Sequence, residues 1–262
     1  MSTNDISQSK NCGTVWFIGA GPGDPELITV KGHRLIREAD LVLYAGSLVP
    51  KAVVACAKPE ANVVDSSPLT LEETHALMRD AALAGQSVAR VHTGDPMLYG
   101  AAREQIALLE QDGISCSIVP GISAAFAAAA AGGVSFTVPE VVQSLAITRL
   151  DGRTPVPERQ RLAEYAKHGG SLAVYLSSRE PEKITEELRQ AGLADDTPVL
   201  LAYRVGWADQ KLAWATVDTL APVAREFGFL RQTVFLILPG ERDTAERRSR
   251  LYHPDFVHEF RG

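Results

Sequence analysis

Val88-Ala89-Arg90-Val91-His92-Thr93-Gly94-Asp95-Pro96-Met97-Leu98-Tyr99-Gly100 decides the fold. Val88 to His92 is a short, β-branched, apolar run of the kind that makes a buried strand. Beyond it, Ala102, Ile106 and Leu109 recur at helical spacing, so the turn between joins a strand's carboxyl end to a helix. Gly94 admits close approach to the backbone, Pro96 stiffens the exit and Asp95 places an acceptor at the rim. Crevices of this kind hold ligands in open α/β sheets, although Gly, Asp and Pro also make ordinary tight turns.

Upstream, Thr14 to Ile18 reads as a strand that runs into Gly19-Ala20-Gly21-Pro22-Gly23-Asp24-Pro25. Further strands are expected at Leu41 to Tyr44, Asn62 to Val64 and Ser115 to Val119. The expected helices are Ile28 to Ala39, Pro50 to Ala57, one opened by the Thr70/Glu73 capping box and ended at Gly85, and one running to about Asp112. Strands alternating with helices predict a mostly parallel, doubly wound sheet. After Pro120-Gly121-Ile122-Ser123, the run from Ala124 to Ala131 holds seven alanines, which favour helix and admit a close neighbour, either another core element or a ligand wall. A second α/β unit is expected from Glu140, with strands at 141–147, 171–176, 199–203, 211–217 and 233–238 and helices at 158–167, 181–191 and 219–227. The strands at Val199 and Lys211 leave no room for a helix between them, so this sheet is expected to be mixed. The expected organisation is a mobile leader over 1–13, an amino-terminal α/β domain over 14–135, a carboxyl-terminal α/β domain over 136–240 and a tail over 241–262.

The chain has 262 residues, 45% of them apolar, enough for a sizeable core in one large or two small domains. A formal net charge of -6 gives no general attraction to nucleic acid or an anionic membrane, so an acidic ligand needs a local basic pocket. Three scattered cysteines with no Cys-x-x-Cys pair argue against a disulfide framework and against structural zinc, and fit the cytosol. No protein metal site is expected. The alanine run is too short and too glycine-flanked to span a bilayer. The Gly19 loop falls short of a dinucleotide fingerprint, because Asp24 stands at the third glycine position and Tyr44-Ala45, not an acid, ends the next strand. A nicotinamide oxidoreductase is therefore a remote alternative.

Three motifs in order, Gly-Ala-Gly-Pro-Gly-Asp-Pro from Gly19, Thr-Gly-Asp-Pro-x-x-Tyr-Gly from Thr93 and Val-Pro-Gly-Ile-Ser-Ala from Val119, resemble the tetrapyrrole methylases. The likeness runs from Thr14 to Gly240. Tyr44 to Val49, Asp65 to Leu71, Val138-Pro139-Glu140, Thr148-Arg149 with Gly152 to Glu158, and Ser249 to Phe256 resemble the branch that acts on corrin precursors. Thr93, where the uroporphyrinogen branch usually has glycine, points the same way.

The resemblance implies two α/β domains, a homodimer and methyl transfer from S-adenosylmethionine to carbon 11 of precorrin-4 or its cobalt form, a tetrapyrrole substrate. Another ring position, or uroporphyrinogen, is the near alternative. It implies cofactor contacts from Pro22, Thr93, Gly94, Asp95, Leu98, Ser123 and Ala124, and from Leu176, Val205 and Thr233 of the second domain, with the cofactor between the domains. For the substrate's carboxylates the candidates are Arg149 and Arg153 first, then Arg103, Arg179 and Arg204, each of which could instead be a solvated or ion-paired arginine. Asp65, Tyr99 and Glu140 are candidates for the pyrrole nitrogens. His92 is either a proton acceptor or a packed strand histidine.

Overall fold

A computed structural model describes residues 12–243. Most of the leader and tail ranges, with the Ser249 to Phe256 segment, lie outside the described residues.

The first unit, by contact, comprises the chain up to Ala124 together with Gly206–Ala208. Its strands are β1 (Val15–Gly19), β2 (Leu41–Tyr44), β3 (Asn62–Asp65), β4 (Val88–His92) and β5 (Cys116–Val119); its helices are α1 (Val30–Glu38), α2 (Lys51–Val54), α3 (Leu71–Leu83) and α4 (Ala102–Gln111). All strand pairs are parallel, in the order β3-β2-β4-β1-β5. β2 and β4 are buried along their whole length, as strands covered by helices on both faces must be. One face packs Ile18, Val42, Ala89 and Val91 against Leu35 and Ile36 of α1; the other packs Phe17, Leu43 and Val88 with Met78 of α3 and Ile106 and Leu109 of α4. The expected capping box opens α3, with Thr70 and Glu73 each accepting a backbone N–H of the other.

The second unit takes Ala125–Val205 and the chain from Asp209. Its elements are α5 (Ala124–Gly132), β6 (Leu145–Arg149), α6 (Leu162–Ala166), β7 (Ser171–Tyr175), α7 (Pro181–Gln190), β8 (Pro198–Tyr203), β9 (Lys211–Thr216), α8 (Leu220–Glu226) and β10 (Thr233–Ile237). The sheet order is β6-β7-β10-β8-β9; β6 and β7 are parallel and the other pairs antiparallel, so the sheet is mixed.

The division at Ala124/Ala125 falls earlier than the 135/136 join read from sequence. The cause is α5, whose Ala125, Ala127, Ala128 and Ala129 pack with Ala173, Leu200, Ala202 and Leu236 of the second sheet. A Cβ on Gly132 would stand 2.3 Å from Leu200 Cδ2, so the alanine run gives close helix-to-sheet packing, the core reading.

Two boundaries differ from expectation. The strand expected over 141–147 lies at Leu145–Arg149, because Val138 to Val142 close a tight turn, with the N–H groups of Val141 and Val142 donating to the Val138 carbonyl and Glu140 at φ +65°. The helix expected over 158–167 is broken at Arg161, whose extended backbone separates a 3-10 turn at Glu158–Gln160 from α6.

Candidate functional site

β4, β1 and β5 are neighbours in a parallel sheet, so the turns leaving their carboxyl ends must meet. They meet through glycine. Gly94 N–H donates to the Gly21 carbonyl at 2.7 Å and Gly21 N–H to the Gly94 carbonyl at 3.3 Å, an antiparallel bridge joining the β1 and β4 turns. A Cβ on Gly121 would fall 2.1 Å from the Gly94 carbonyl oxygen, and one on Gly19 2.5 Å from Gly121 Cα, so neither position accepts a side chain unless backbone shifts.

Asp95 fastens the knot. One carboxylate oxygen accepts from Met97 N–H at 2.8 Å, closing its own turn, and the other accepts from Gly121 N–H at 3.0 Å. Its acceptor role at the rim thus serves two loops rather than lying open to solvent. Gly94 itself has φ +61°, and a Cβ placed on it would meet nothing nearer than 3.9 Å, so main chain there is open to approach. Thr93 and Leu98 are half-buried beside it, Pro22 is buried in the β1 turn, and Ser123 and Ala124 follow Gly121 at the start of α5. The first-unit residues that the motifs single out are therefore gathered onto three adjoining turns.

Trp207, absent from the sequence reading, belongs to the same cluster. Its indole lies where a Cβ on Gly23 would come within 2.5 Å of Cδ1, and a Cβ on Gly206 would meet Asp24 N at 2.8 Å. The segment Gly206–Ala208 thus lies against the first glycine loop. That loop leads into a 3-10 turn at Pro25–Leu27, and Thr29 caps α1 only later, so no helix N-terminus opens directly from the glycines as a dinucleotide site requires.

Beneath the β4 turn lies a polar network that also escaped the sequence reading. Arg90 is 7% exposed; its Nε donates to Gln105 Oε1 of α4 at 2.9 Å and its Nη1 to Ser66 Oγ at 2.7 Å, with no carboxylate partner among the described residues. Burial pulls its pKa down to about 10. His92, two residues along the same strand face, is 6% exposed, stacks on Phe17 with centroids 5.7 Å apart, and has no partner for Nε2 among the described residues. Burial, and then the Arg90 charge, push its pKa down to about 3, so at neutral pH it is an uncharged, weakly basic packed ring.

Other candidates have structural duties. Asp65 accepts from Ser67 N–H at 2.8 Å and Gly46 N–H at 2.9 Å, bonds that hold its carboxyl below the usual range and tie the end of β3 to the loop after β2. Tyr99 is exposed at φ +56° in the β4 turn.

In the second unit, Arg149 donates through Nη1 to the carbonyls of Leu150 and Thr154 and through Nη2 to that of Pro155, organising the loop after β6. Arg153 is exposed in that loop. Arg204 pairs with Asp209 at 2.5 Å and Arg103 with Glu110 at 3.8 Å. Leu176 is 71% exposed at φ +54° just past β7, whereas Val205 is buried in the core and the Thr233 hydroxyl donates within its own segment to the carbonyls of Phe229 and Arg231. Arg149 at the end of β6, Leu176, Val205 and Thr233 nonetheless share one edge of the sheet: β6 runs parallel to β7 with Arg149 opposite Tyr175, and Thr233 at the start of β10 is opposite Tyr203.

Among the described residues, no group of three or more His, Cys, Asp or Glu could hold a metal ion, and no helix is long and apolar enough to cross a membrane.

Residues 14–221 match the family model for tetrapyrrole (corrin/porphyrin) methylases. A precorrin-4 C(11)-methyltransferase of Pseudomonas aeruginosa is 45% identical over 250 residues, covering 95% of this chain and 98% of the relative. The X-ray structure of a cobalamin biosynthetic enzyme, cobalt precorrin-4 methyltransferase, superposes with a TM-score of 0.83 at 45% identity, over 86% of this chain and 94% of that one. A uroporphyrin-III C-methyl transferase from Thermus thermophilus, solved with S-adenyl homocysteine, gives 0.70 at 26% identity, over 86% and 92%.

Proposed function

Because the chain belongs to the tetrapyrrole (corrin/porphyrin) methylases, we propose that it is a precorrin-4 C(11)-methyltransferase, moving a methyl group from S-adenosylmethionine to carbon 11 of precorrin-4 or its cobalt form and releasing S-adenosylhomocysteine. The observation that carries this reading is the stronger likeness, in sequence and in superposition, to enzymes named for precorrin-4 than to one named for uroporphyrin.

The chain's own residues suit the donor. A donor with a nucleoside at one end and an amino acid at the other needs apolar and main-chain surface in one place; the three turns offer open main chain at Gly94, with Thr93 and Leu98 beside it. The donor supplies an electrophilic methyl group, whose bond to sulfur breaks as the ring carbon bonds to it, the sulfur keeping the electron pair. The protein's task is to position the reactants and exclude water, a contribution worth roughly 7 to 11 kcal/mol when alignment is good. No nucleophilic side chain is needed. Neutral, buried His92 is a poor acceptor for the proton that the macrocycle sheds. Leu176, Val205 and Thr233 are proposed cofactor contacts on the family resemblance alone. The enzyme is proposed to be cytoplasmic and homodimeric; sedimentation of the purified protein tests the dimer.

Incubation with methyl-labelled donor and, separately, precorrin-4, cobalt-precorrin-4 and uroporphyrinogen III tests the reaction. Label at carbon 11 of either precorrin form is expected; label entering only uroporphyrinogen contradicts it.

A further inference from the structure

A cavity of about 480 Å³ in the second unit is lined by Arg179, Arg225, Gly228, Leu230 and Arg231. Three guanidinium groups and no carboxylate among the described residues line it, in a chain whose net charge is -6. Arg225 is already neutralised: its Nε and Nη2 donate to the two carboxylate oxygens of Glu182 in α7, at 2.8 and 2.7 Å. Arg179 and Arg231 are exposed, and their side chains make no hydrogen bond or ion pair among the described residues. Like charges gathered in one concavity repel, and an anion entering it relieves that repulsion.

The cavity's place in the fold gives the anion a use. Arg179 follows Leu176 at the end of β7, and Arg231 precedes Thr233 at the start of β10. β10 runs antiparallel to β7 with Phe235 opposite Val174, so both arginines leave the sheet at the edge that carries Leu176. Gln232, between Arg231 and Thr233, accepts through its carbonyl from Arg204 N–H at 2.9 Å, and Leu176, Arg204 and Gln232 all have positive φ. Side-chain-bearing residues held in that conformation mark an edge whose shape is fixed against its local preference.

We propose that Arg179 and Arg231 form a carboxylate-binding subsite that takes an acidic side arm of the macrocyclic substrate. The inference rests on the methylase reading and adds to it which cations read the substrate's periphery: Arg179 and Arg231, while Arg149 organises its own loop. Planar guanidinium groups accept a carboxylate through paired N–H donors, which a lysine does not reproduce.

The test uses equilibrium binding of uroporphyrin, a macrocycle with a carboxylate on every peripheral arm, and of coproporphyrin, which carries half as many, to the full chain and to Arg179→Gln, Arg231→Gln and the double variant. S-adenosylhomocysteine binding is measured alongside, and Arg34→Gln, which removes an exposed cation of the first unit, controls for net charge. Each single variant is expected to weaken uroporphyrin binding about tenfold and the double variant more. Coproporphyrin is expected to lose less, Arg→Lys variants to recover only part, and cofactor binding to stay unchanged. With precorrin-4 the loss is expected in KM rather than kcat. Uroporphyrin binding equally well to the double variant overturns the subsite, as does displacement by inorganic phosphate with none by a tricarboxylate. Loss of S-adenosylhomocysteine binding by the unaltered protein would instead strike the methylase reading.

Discussion

At the carboxyl ends of β1, β4 and β5 the first unit shapes three turns with main chain, packing Gly19, Gly94 and Gly121 against one another and pinning two of the turns with Asp95. At the edge that carries Leu176, Arg204 and Gln232, the second unit instead holds residues with side chains at positive φ and leaves Arg179 and Arg231 without a partner among the described residues. The first arrangement suits a ligand gripped by backbone in one fixed pose; the second suits recognition of charge on a varied periphery. Under the proposed function, substitutions in the first unit are expected to act on donor binding and those in the second on the choice of substrate.

The largest effect is expected from Gly121→Ala, whose methyl group would have to displace the Gly94 carbonyl. A destabilisation of about 3 kcal/mol, read from urea unfolding, should accompany loss of S-adenosylhomocysteine binding. Asp95→Ala comes next: removing both accepted bonds should cost about 2 kcal/mol and weaken cofactor binding at least tenfold, with uroporphyrin binding nearly unchanged. If uroporphyrin binding falls equally, the division of labour between the units breaks.

His92 gives a pH test of the packed-ring assignment. Its pKa is about 3 folded against about 6.5 unfolded, so the unfolded chain binds the extra proton between those values. Stability from this group is therefore present above pH 6.5 and lost as pH falls, by about 1.4 kcal/mol at pH 5.5. His92→Phe should flatten that part of the pH profile; an unchanged slope would show a ring that charges freely. The smallest effect sharpens the second unit's side of the contrast. Leu176→Gly relieves a left-handed leucine but frees the unfolded chain, for a net stabilisation of about 0.5 kcal/mol in the same unfolding assay.

The first unit was readable because its strands are buried runs and its helices carry local stop and start signals, as at Thr70 and Glu73. Its glycine motifs were readable too, since glycine in sequence reports directly on backbone. The sequence did not separate Val141, β-branched and strand-like, from the turn that uses it, because the pairing that selects Leu145–Arg149 comes from β7, far along the chain. For the same reason proximity to motifs is a poor guide to the arginines: whether Arg149 is engaged by carbonyls, or Arg231 lines a cavity with Arg179, depends on loops whose conformation no local signal encodes. The Arg90, Ser66 and Gln105 network left one trace, a charged residue inside an otherwise apolar strand.

A crystal structure of the protein with S-adenosylhomocysteine would show whether the three glycine turns of the first unit hold the methyl donor, as proposed. Ligand density is expected against the main chain of Thr93 to Leu98, with the Asp95 to Gly121 bond intact. Density bound elsewhere, with those turns untouched, would contradict it.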